Sequence, residues 1–295
     1  MTLAIQQRML ETNQIAINYA EIDGPVDGPG PPLVLLHGGS VRWQSFSSIL
    51  PDLAESFHIY APDFRGHGYS SWVPDSYRLQ DYADDTITFL QSLVTEPAYL
   101  FGHSLGGMVA LLVAAQYPAG VRAVAVGDAP LSAGAWQAVL DHGRDRLLMW
   151  RDLSGGQKSA PELIEILKES PAERPGQAEP VRLQEVIGPD SPVFGWLAVN
   201  IVQNDPDMLS ALLDRFEATA AGYDMPTILP AIQCPVLLMQ ADPAAGGLMT
   251  DSEVNQALSL LTRGSHVKLA GLSHVFHNER KEPVVEALRA FQQAS

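Results

Sequence analysis

The stretch YLFGHSLGGMVALLVAAQYP, residues 99–118, places a serine between two glycines, with an apolar run before it and a helix-like run after it. This order predicts a buried strand, a tight turn and a helix. In such a turn Ser104 adopts a strained backbone conformation that projects its hydroxyl from the sheet edge, and Gly102 and Gly106 avoid a collision because they lack Cβ atoms. We therefore interpret Ser104 as a candidate nucleophile. The short glycine–serine pattern also occurs by chance, so the flanking strand and helix carry the interpretation.

Short apolar runs alternate with amphipathic stretches over most of the chain. Strands are predicted at residues 14–22, 33–36, 57–63, 98–102, 121–128 and 234–242. Helices are predicted at residues 46–55, 79–93, 105–117, 252–261 and 283–292. Alternation of this kind favours the α/β class, with a mostly parallel sheet covered by helices on both faces.

The alternation stops between residues 131 and 229, where helical patterns follow one another without a convincing strand. We predict a core formed by residues 1–130 and 230–295, with residues 131–229 inserted as a helical cap. The middle of this insertion, residues 152–180, is rich in Gly, Pro, Ser and charged residues and predicts mobile loops around one helix. A similar stretch at residues 24–32 predicts a loop at the sheet edge.

The composition limits the partners of the protein. The 295 residues carry a formal net charge of −16, and 46% of them are hydrophobic. A strongly acidic chain repels nucleic acid and anionic membrane surfaces, so we expect neither as a partner. No stretch approaches the ~18 apolar residues that a membrane span needs, and the first residues do not resemble a secretion signal. The expected compartment is the cytoplasm.

A second glycine-containing turn follows the strand at residues 33–36, in the sequence LVLLHGGS. Flexible backbone at this position can direct an N–H group towards a developing oxyanion. Gly39 is our first choice for this donor and Ser40 the second, and the N–H of Leu105 at the start of the following helix is the expected partner donor. A purely structural turn is the alternative. Asp63 and Arg65, after the next strand, are expected to brace their own loop.

Four motifs occur in a characteristic order: LLHGGS, DFRGHGYS, GHSLGG and LAGLSHVFHNE. In this order they resemble the α/β-hydrolase superfamily, and the resemblance spans nearly the whole chain. It implies an eight-stranded sheet, a cap inserted into it, a catalytic triad in the chain order serine, acid, histidine, and no cofactor. It also implies that His274 is the base. His277, three residues later, is expected to pack or cap, since no further ligands complete a metal site with it.

The acid of the triad has two candidates. Most members of the superfamily carry it after the seventh strand, where Asp242 lies two residues earlier than usual and Ala244 occupies the usual place. Asp128 ends the preceding predicted strand in VAVGDAP, and this stretch resembles the zearalenone lactonases, which take their acid from that strand end. We favour Asp128 and keep Asp242 as the alternative; the other aspartate would brace a loop or cap a helix.

The cap is rich in large apolar side chains, and any one of them could simply anchor the cap to the core. Together they predict an apolar pocket above Ser104. These residues are Trp136, Met149, Trp150, Phe194, Trp196, Tyr223 and Met225. The expected substrate is small to medium-sized, hydrophobic and neutral.

The resemblance and the candidate residues together predict a serine hydrolase of the carboxylesterase or lactonase type. C–C bond hydrolysis and aminopeptidase activity on the same triad are alternatives, as is a receptor that binds a small hydrophobic ligand and turns it over slowly. Epoxide hydrolases and haloalkane dehalogenases are disfavoured, because those members attack with an aspartate where this chain has Ser104.

Overall fold

The computed structural model describes residues 3–24, 28, 30–172 and 179–295 of the chain. Its strands are β1 (Ile5–Glu11), β2 (Ala16–Ile22), β3 (Pro32–Leu36), β4 (His58–Pro62), β5 (Ala98–His103), β6 (Val121–Gly127), β7 (Pro171–Ala172), β8 (Val181–Arg182), β9 (Val236–Ala241) and β10 (Gly264–Leu269). Within the described residues, eight of these strands form one sheet in the order β1-β2-β4-β3-β5-β6-β9-β10. The sheet has the predicted α/β architecture.

The sheet is parallel from β4 to β10, and β2 pairs in the antiparallel direction with both β1 and β4. The four apolar residues 33–36 of β3 show why the central strands are hydrophobic throughout. Val34 and Leu36 pack into the core on one face of the sheet, whereas Leu33 and Leu35 pack into the core on the other. A strand buried on both faces has no polar side, so it appears in the sequence as a continuous apolar run.

Helices cover both faces of the sheet. The α-helices are α1 (Leu50–Leu53), α2 (Leu79–Leu93), α3 (Leu105–Gln116), α4 (Ala133–His142), α5 (Arg144–Leu153), α6 (Ala160–Glu169), α7 (Leu183–Ile187), α8 (Val193–Val202), α9 (Pro206–Asp214), α10 (Phe216–Thr219), α11 (Met225–Ala231), α12 (Asp251–Leu260), α13 (Phe276–Glu279) and α14 (Glu282–Gln293). Buried side chains of α2, α3, α11 and α12 belong to the core of one face, and those of α1 and α14 belong to the core of the other.

One predicted core helix is wrong in extent. The helix expected over residues 46–55 is a 3₁₀ turn at Trp43–Phe46 followed by the single-turn helix α1. Pro51 lies in the first turn of α1. Since proline has no backbone N–H and is tolerated only at the start of a helix, a continuous helix cannot run through this position.

Seven helices, α4 to α10, lie within residues 131–229 of the described chain, together with the short antiparallel pair β7 and β8. The sequence does not predict that strand pair. The division into core and cap stays a prediction, and α11 extends past its boundary to Ala231. Parts of the two predicted loops, residues 25–27 and 29 in the first and residues 173–178 in the second, lie outside the described residues.

The parallel strands bring the candidate residues to one edge. The carboxyl ends of β3, β5, β6, β9 and β10 precede the loops that carry Gly39, Ser104, Asp128, Asp242 and His274 respectively. Ligand sites of open α/β sheets lie at this edge. In the described part of the chain, no helix has the length and apolar character that crossing a membrane requires.

Candidate active site

Ser104 occupies the turn between β5 and α3 in a backbone conformation that is rare for a residue with a side chain. Its φ is 54° and its ψ is −118°. A Cβ added to Gly102 would lie 2.1 Å from the carbonyl oxygen of Gly106, and one added to Gly106 would lie 1.9 Å from that of Leu36. Neither position therefore has room for a side chain, as the sequence predicts. A 2.9 Å hydrogen bond from the Ser104 N–H to Gly127 O holds the turn.

Asp128 lies directly after β6 and is fully buried. Its Oδ2 accepts a 2.8 Å hydrogen bond from His274 Nδ1. Backbone N–H groups supply the other bonds to the carboxylate, from Leu248 at 2.8 Å, Met249 at 3.2 Å and Ala241 at 3.3 Å. Because a carboxylate only accepts, His274 carries its proton on Nδ1 and keeps Nε2 free to take a proton.

Asp242 has a different set of partners. Its carboxylate accepts from the backbone N–H groups of Gly271 at 2.8 Å and Ala244 at 3.0 Å. These bonds hold the pKa of the Asp242 carboxyl below its usual value. Among the described residues, His274 bonds to Asp128 and not to Asp242, so the geometry favours Asp128 as the acid and gives Asp242 a role in bracing two loops.

The HGGS turn after β3 packs against the Ser104 turn. A Cβ added to Gly38 would lie 3.4 Å from Ser104 Cβ. Over the residues that the structure describes, the N–H groups of Gly39 and of Leu105, the first residue of α3, have no hydrogen-bond acceptor. The Ser40 N–H, in contrast, donates to His67 Nε2 at 3.1 Å. The second choice of donor, Ser40, is therefore disfavoured by its occupied N–H, whereas Gly39 and Leu105 remain the candidates.

Two buried histidines, His37 and His67, hold this turn, and the motifs around them do not reveal that role. The Phe64 N–H donates to His37 Nε2 at 3.0 Å, as the Ser40 N–H does to His67 Nε2. A backbone N–H can only donate, so both rings are protonated on Nδ1, which donates to Gly38 O in His37 and to Arg65 O in His67. Burial lowers the pKa of His67 to about 4 and that of His37 well below its ordinary value, so both rings stay neutral.

The loop after β4 is braced as expected. Asp63 accepts from the Trp43 N–H at 2.9 Å and from Asn18 Nδ2 at 2.7 Å. Arg65 forms a two-point ion pair with Asp85, with both N···O distances at 2.6 Å. These contacts are internal to the core, so neither residue is a candidate for the chemistry.

His103, which precedes Ser104, positions the His274 loop. Its Nε2 donates to the carbonyl oxygen of His274 at 2.7 Å, and the two rings lie 4.5 Å apart. Burial lowers the pKa of His103 well below its ordinary value. His277 packs its buried ring against Phe46 and His103, in keeping with the packing role expected for it. Within the described residues, no cluster of His, Cys, Asp and Glu side chains suits a metal ion.

The end of helix α8 and the turn after it lie against the HGGS loop. Asn204 Nδ2 donates to Ser40 O at 3.2 Å, and Arg42 Nε donates to the Asn200 side-chain oxygen at 3.0 Å. Both asparagines are buried. Helix α8 and the turn after it therefore contact the loop that carries the Gly39 N–H.

The aromatic residues proposed for a pocket fall into two groups. Trp136, Phe194 and Tyr223 are buried: Trp136 packs against Phe216, Phe194 belongs to a cluster between the inserted helices, and the Tyr223 hydroxyl donates to a backbone carbonyl. Trp150 and Trp196 are partly exposed. The first three side chains pack in the interior, and a pocket-lining role for any of the five residues stays a prediction.

Comparisons with known proteins agree with this architecture. A family model described as alpha/beta hydrolase fold matches residues 31–153. The chain is 34% identical to the 2-(acetamidomethylene)succinate hydrolase of Mesorhizobium japonicum over 121 residues. These residues are 41% of this chain and 42% of that protein. It is 37% identical over 110 residues to the 2-hydroxymuconate semialdehyde hydrolase of Pseudomonas sp. strain CF600, covering 36% of this chain and 39% of the relative. The matches thus span about two fifths of these relatives.

The whole described fold has counterparts among solved structures. The enol-lactonase of Burkholderia xenovorans LB400 aligns with a TM-score of 0.71 and 19% sequence identity, covering 97% of this chain and all of that one (100%). The protein has the α/β-hydrolase fold. Over residues 31–153 the sequence itself matches the family model of this fold.

We expect the buried, neutral His67 to make stability depend on pH. Its pKa falls from 6.5 in an exposed histidine to about 4 here. Below pH 6.5 the unfolded chain binds a proton that the folded state does not, so the free energy of unfolding falls as the pH falls from 6.5 towards 4. The contribution is about 1.4 kcal/mol per pH unit. Urea unfolding over this range should show a shallower pH dependence for His67→Gln than for the wild type.

The matched control is His142→Gln, at an exposed position on α4. It should keep the wild-type slope. Parallel slopes for the wild type and His67→Gln would contradict the assignment of His67 as a neutral buried ring.

Proposed function

We propose that the protein is a serine hydrolase that cleaves a carboxylic ester or lactone through an acyl-enzyme on Ser104. The observation that carries the proposal is the 2.8 Å bond from His274 Nδ1 to the buried Asp128, in a loop that His103 holds beside the strained Ser104 turn. A base with a fixed tautomer next to a projecting hydroxyl is the arrangement that nucleophilic acyl transfer needs.

In the first half of the reaction, His274 Nε2 takes the Ser104 hydroxyl proton as Oγ attacks the substrate carbonyl carbon. Asp128 keeps the imidazole in the correct tautomer and stabilises the imidazolium. The carbonyl oxygen becomes an oxyanion that accepts from the Gly39 and Leu105 N–H groups, which are free of other partners among the described residues. The leaving oxygen then departs with the proton held by His274.

In the second half, His274 accepts a proton from water as the water oxygen attacks the acyl carbon. A second oxyanion forms on the carbonyl oxygen and accepts from the same two N–H groups. Its collapse breaks the bond between the acyl carbon and Ser104 Oγ, and His274 returns the proton to Oγ. The products are a carboxylic acid and an alcohol, or one hydroxy acid from a lactone. None of these steps uses a cofactor.

The substrate scaffold is proposed to be small to medium-sized and largely apolar. The partly exposed Trp150 and Trp196 of the inserted helices are the proposed lining residues. Contact between these helices and the HGGS loop would also keep water from the oxyanion, which strengthens its hydrogen bonds.

C–C bond hydrolysis of a diketone is the second candidate reaction. It is favoured by the 37% identity, over 110 residues, to a 2-hydroxymuconate semialdehyde hydrolase. Turnover of aryl esters and lactones, compared with that of a diketone, distinguishes the two candidates. A single slow burst with strong thermal stabilisation by the ligand would instead indicate a receptor.

A fluorophosphonate probe should label the wild type on Ser104 and abolish ester hydrolysis. Ser104→Ala should remain folded, resist labelling and lose about 10⁴-fold or more in kcat, since no other group supplies the nucleophile. Ser259→Ala is the matched control, because Ser259 is an exposed serine on α12. Peptide mass spectrometry locates the label. A folded Ser104→Ala variant that still hydrolyses esters at the wild-type rate would rule out the mechanism.

Replacement of the two aspartates separates their roles. Asp128→Asn should lower kcat by about 10⁴-fold, because an amide no longer holds the His274 tautomer. Asp242→Asn should change kcat by no more than about threefold, since Asp242 bonds only to backbone N–H groups, a contact that affects folding more than chemistry. Circular dichroism checks that both variants fold. The reverse pattern of activities would make Asp242 the acid.

A further inference from the structure

Arg42 is held at the boundary between the core and helix α8 by neutral acceptors. Its Nε donates to the Asn200 side-chain oxygen at 3.0 Å. In the amide orientation that satisfies its neighbours, the Gln44 oxygen accepts from Arg42 Nη1 at 3.2 Å and from Trp43 Nε1 at 3.1 Å. Two amide oxygens thus fix the guanidinium from different elements, and neither carries a charge.

The charge of Arg42 has no counter-ion in contact. Among the described residues, no carboxylate lies within 4.0 Å of its guanidinium, whereas Arg65 in the same region pairs with Asp85 at 2.6 Å. Asp63 is near enough to raise the pKa of Arg42, against the larger lowering by burial, but its oxygens accept from Trp43 N and Asn18 Nδ2. An arginine remains protonated even when half-buried, and an uncompensated buried cation is costly.

A second donor lies beside this cation. Asn200 is 2% exposed, and its Nδ2 has no acceptor in the part of the chain that the structure describes. Because Nδ2 and the oxygen that binds Arg42 share one carbon atom, the free amide N–H groups adjoin the guanidinium. The pair therefore combines the unpartnered N–H groups of the Asn200 amide with the positive charge of Arg42, and this combination suits a carboxylate.

The position of the pair relates it to the reaction centre. Arg42 lies three residues after Gly39, in the loop whose Gly38 packs against Ser104. Asn204, one turn beyond Asn200, bonds to Ser40 O in the same loop. Arg42 and Asn200 therefore border the loop that carries Gly39 and packs against the Ser104 turn.

We propose that Arg42 and Asn200 bind a carboxylate carried by the substrate, so that the substrate class is an ester or lactone with a free carboxylate a few atoms from the scissile carbonyl. This inference rests on the proposed function. It replaces the neutral substrate expected from composition: the net charge of −16 acts on average and at long range, whereas the unpaired Arg42 acts at contact.

The test uses mono-4-nitrophenyl esters of succinic, glutaric and adipic acid, each compared with the ester in which a primary amide replaces the free carboxylate. The wild type should prefer the acid over the amide in kcat/KM by about 10- to 100-fold, since a hydrogen bond to a charged group is worth that much. Arg42→Gln should remove most of this preference. Asn200→Asp should remove it as well, because the new carboxylate neutralises Arg42 internally.

Arg289→Gln provides the control for net charge, since Arg289 lies on the C-terminal helix α14 and already has its own partner, Glu55. It should keep the wild-type ratio. Equal rates for acids and amides with the wild type, or an unchanged ratio in Arg42→Gln, would overturn the inference while leaving the proposed function intact.

If the wild type hydrolyses none of the esters, the proposed function fails, and binding then decides the inference. Isothermal titration of Ser104→Ala with each ester needs no turnover. Tighter binding of the acid than of the amide, lost when Arg42→Gln is added, supports the carboxylate site. Equal binding of both, or a preference that survives the loss of Arg42, refutes it.

Discussion

The arrangement of the candidate site depends on the burial of one carboxylate. Asp128 is withdrawn from solvent at the end of β6, and a buried acid requires donors from its surroundings. Backbone N–H groups of Ala241, Leu248 and Met249 supply them, which obliges the loop after β9 to wrap around the carboxylate. The remaining position goes to the ring of His274. One electrostatic requirement thus determines the path of a loop and the tautomer of the candidate base.

Much of the fold is accessible from sequence because its signals are local. The central strands are continuous apolar runs, α2 occupies the predicted residues, and the glycines around Ser104 are demanded by contacts within one turn. The first strand is missed because six of its seven residues, Ile5–Glu11, are exposed, which leaves no alternation to detect. The pair β7 and β8 is missed because two residues per strand carry no periodicity.

The site is predictable only in part. Asp128 and Asp242 both follow strands with suitable spacing, and the choice between them depends on where backbone N–H groups point, which side-chain identity does not encode. The sequence also does not show that the Ser40 N–H is already bonded, because its acceptor is His67, a residue distant in sequence. Composition likewise does not show whether Trp136 and Tyr223 pack in the interior or line a pocket. The motif FRGHG offered a signal for His67, because a histidine between glycines in a buried loop needs partners.

The hydrogen bond from Asn204 Nδ2 to Ser40 O restrains the HGGS turn. Ser40 adjoins Gly39, so the turn that carries this candidate oxyanion donor is tethered by one side-chain amide to the turn after α8. Any opening wide enough to lift α8 from the core must release this tether and the one at Arg42 together. Under the proposed function, lifting α8 to admit a substrate would therefore remove two restraints from the HGGS turn at the same time.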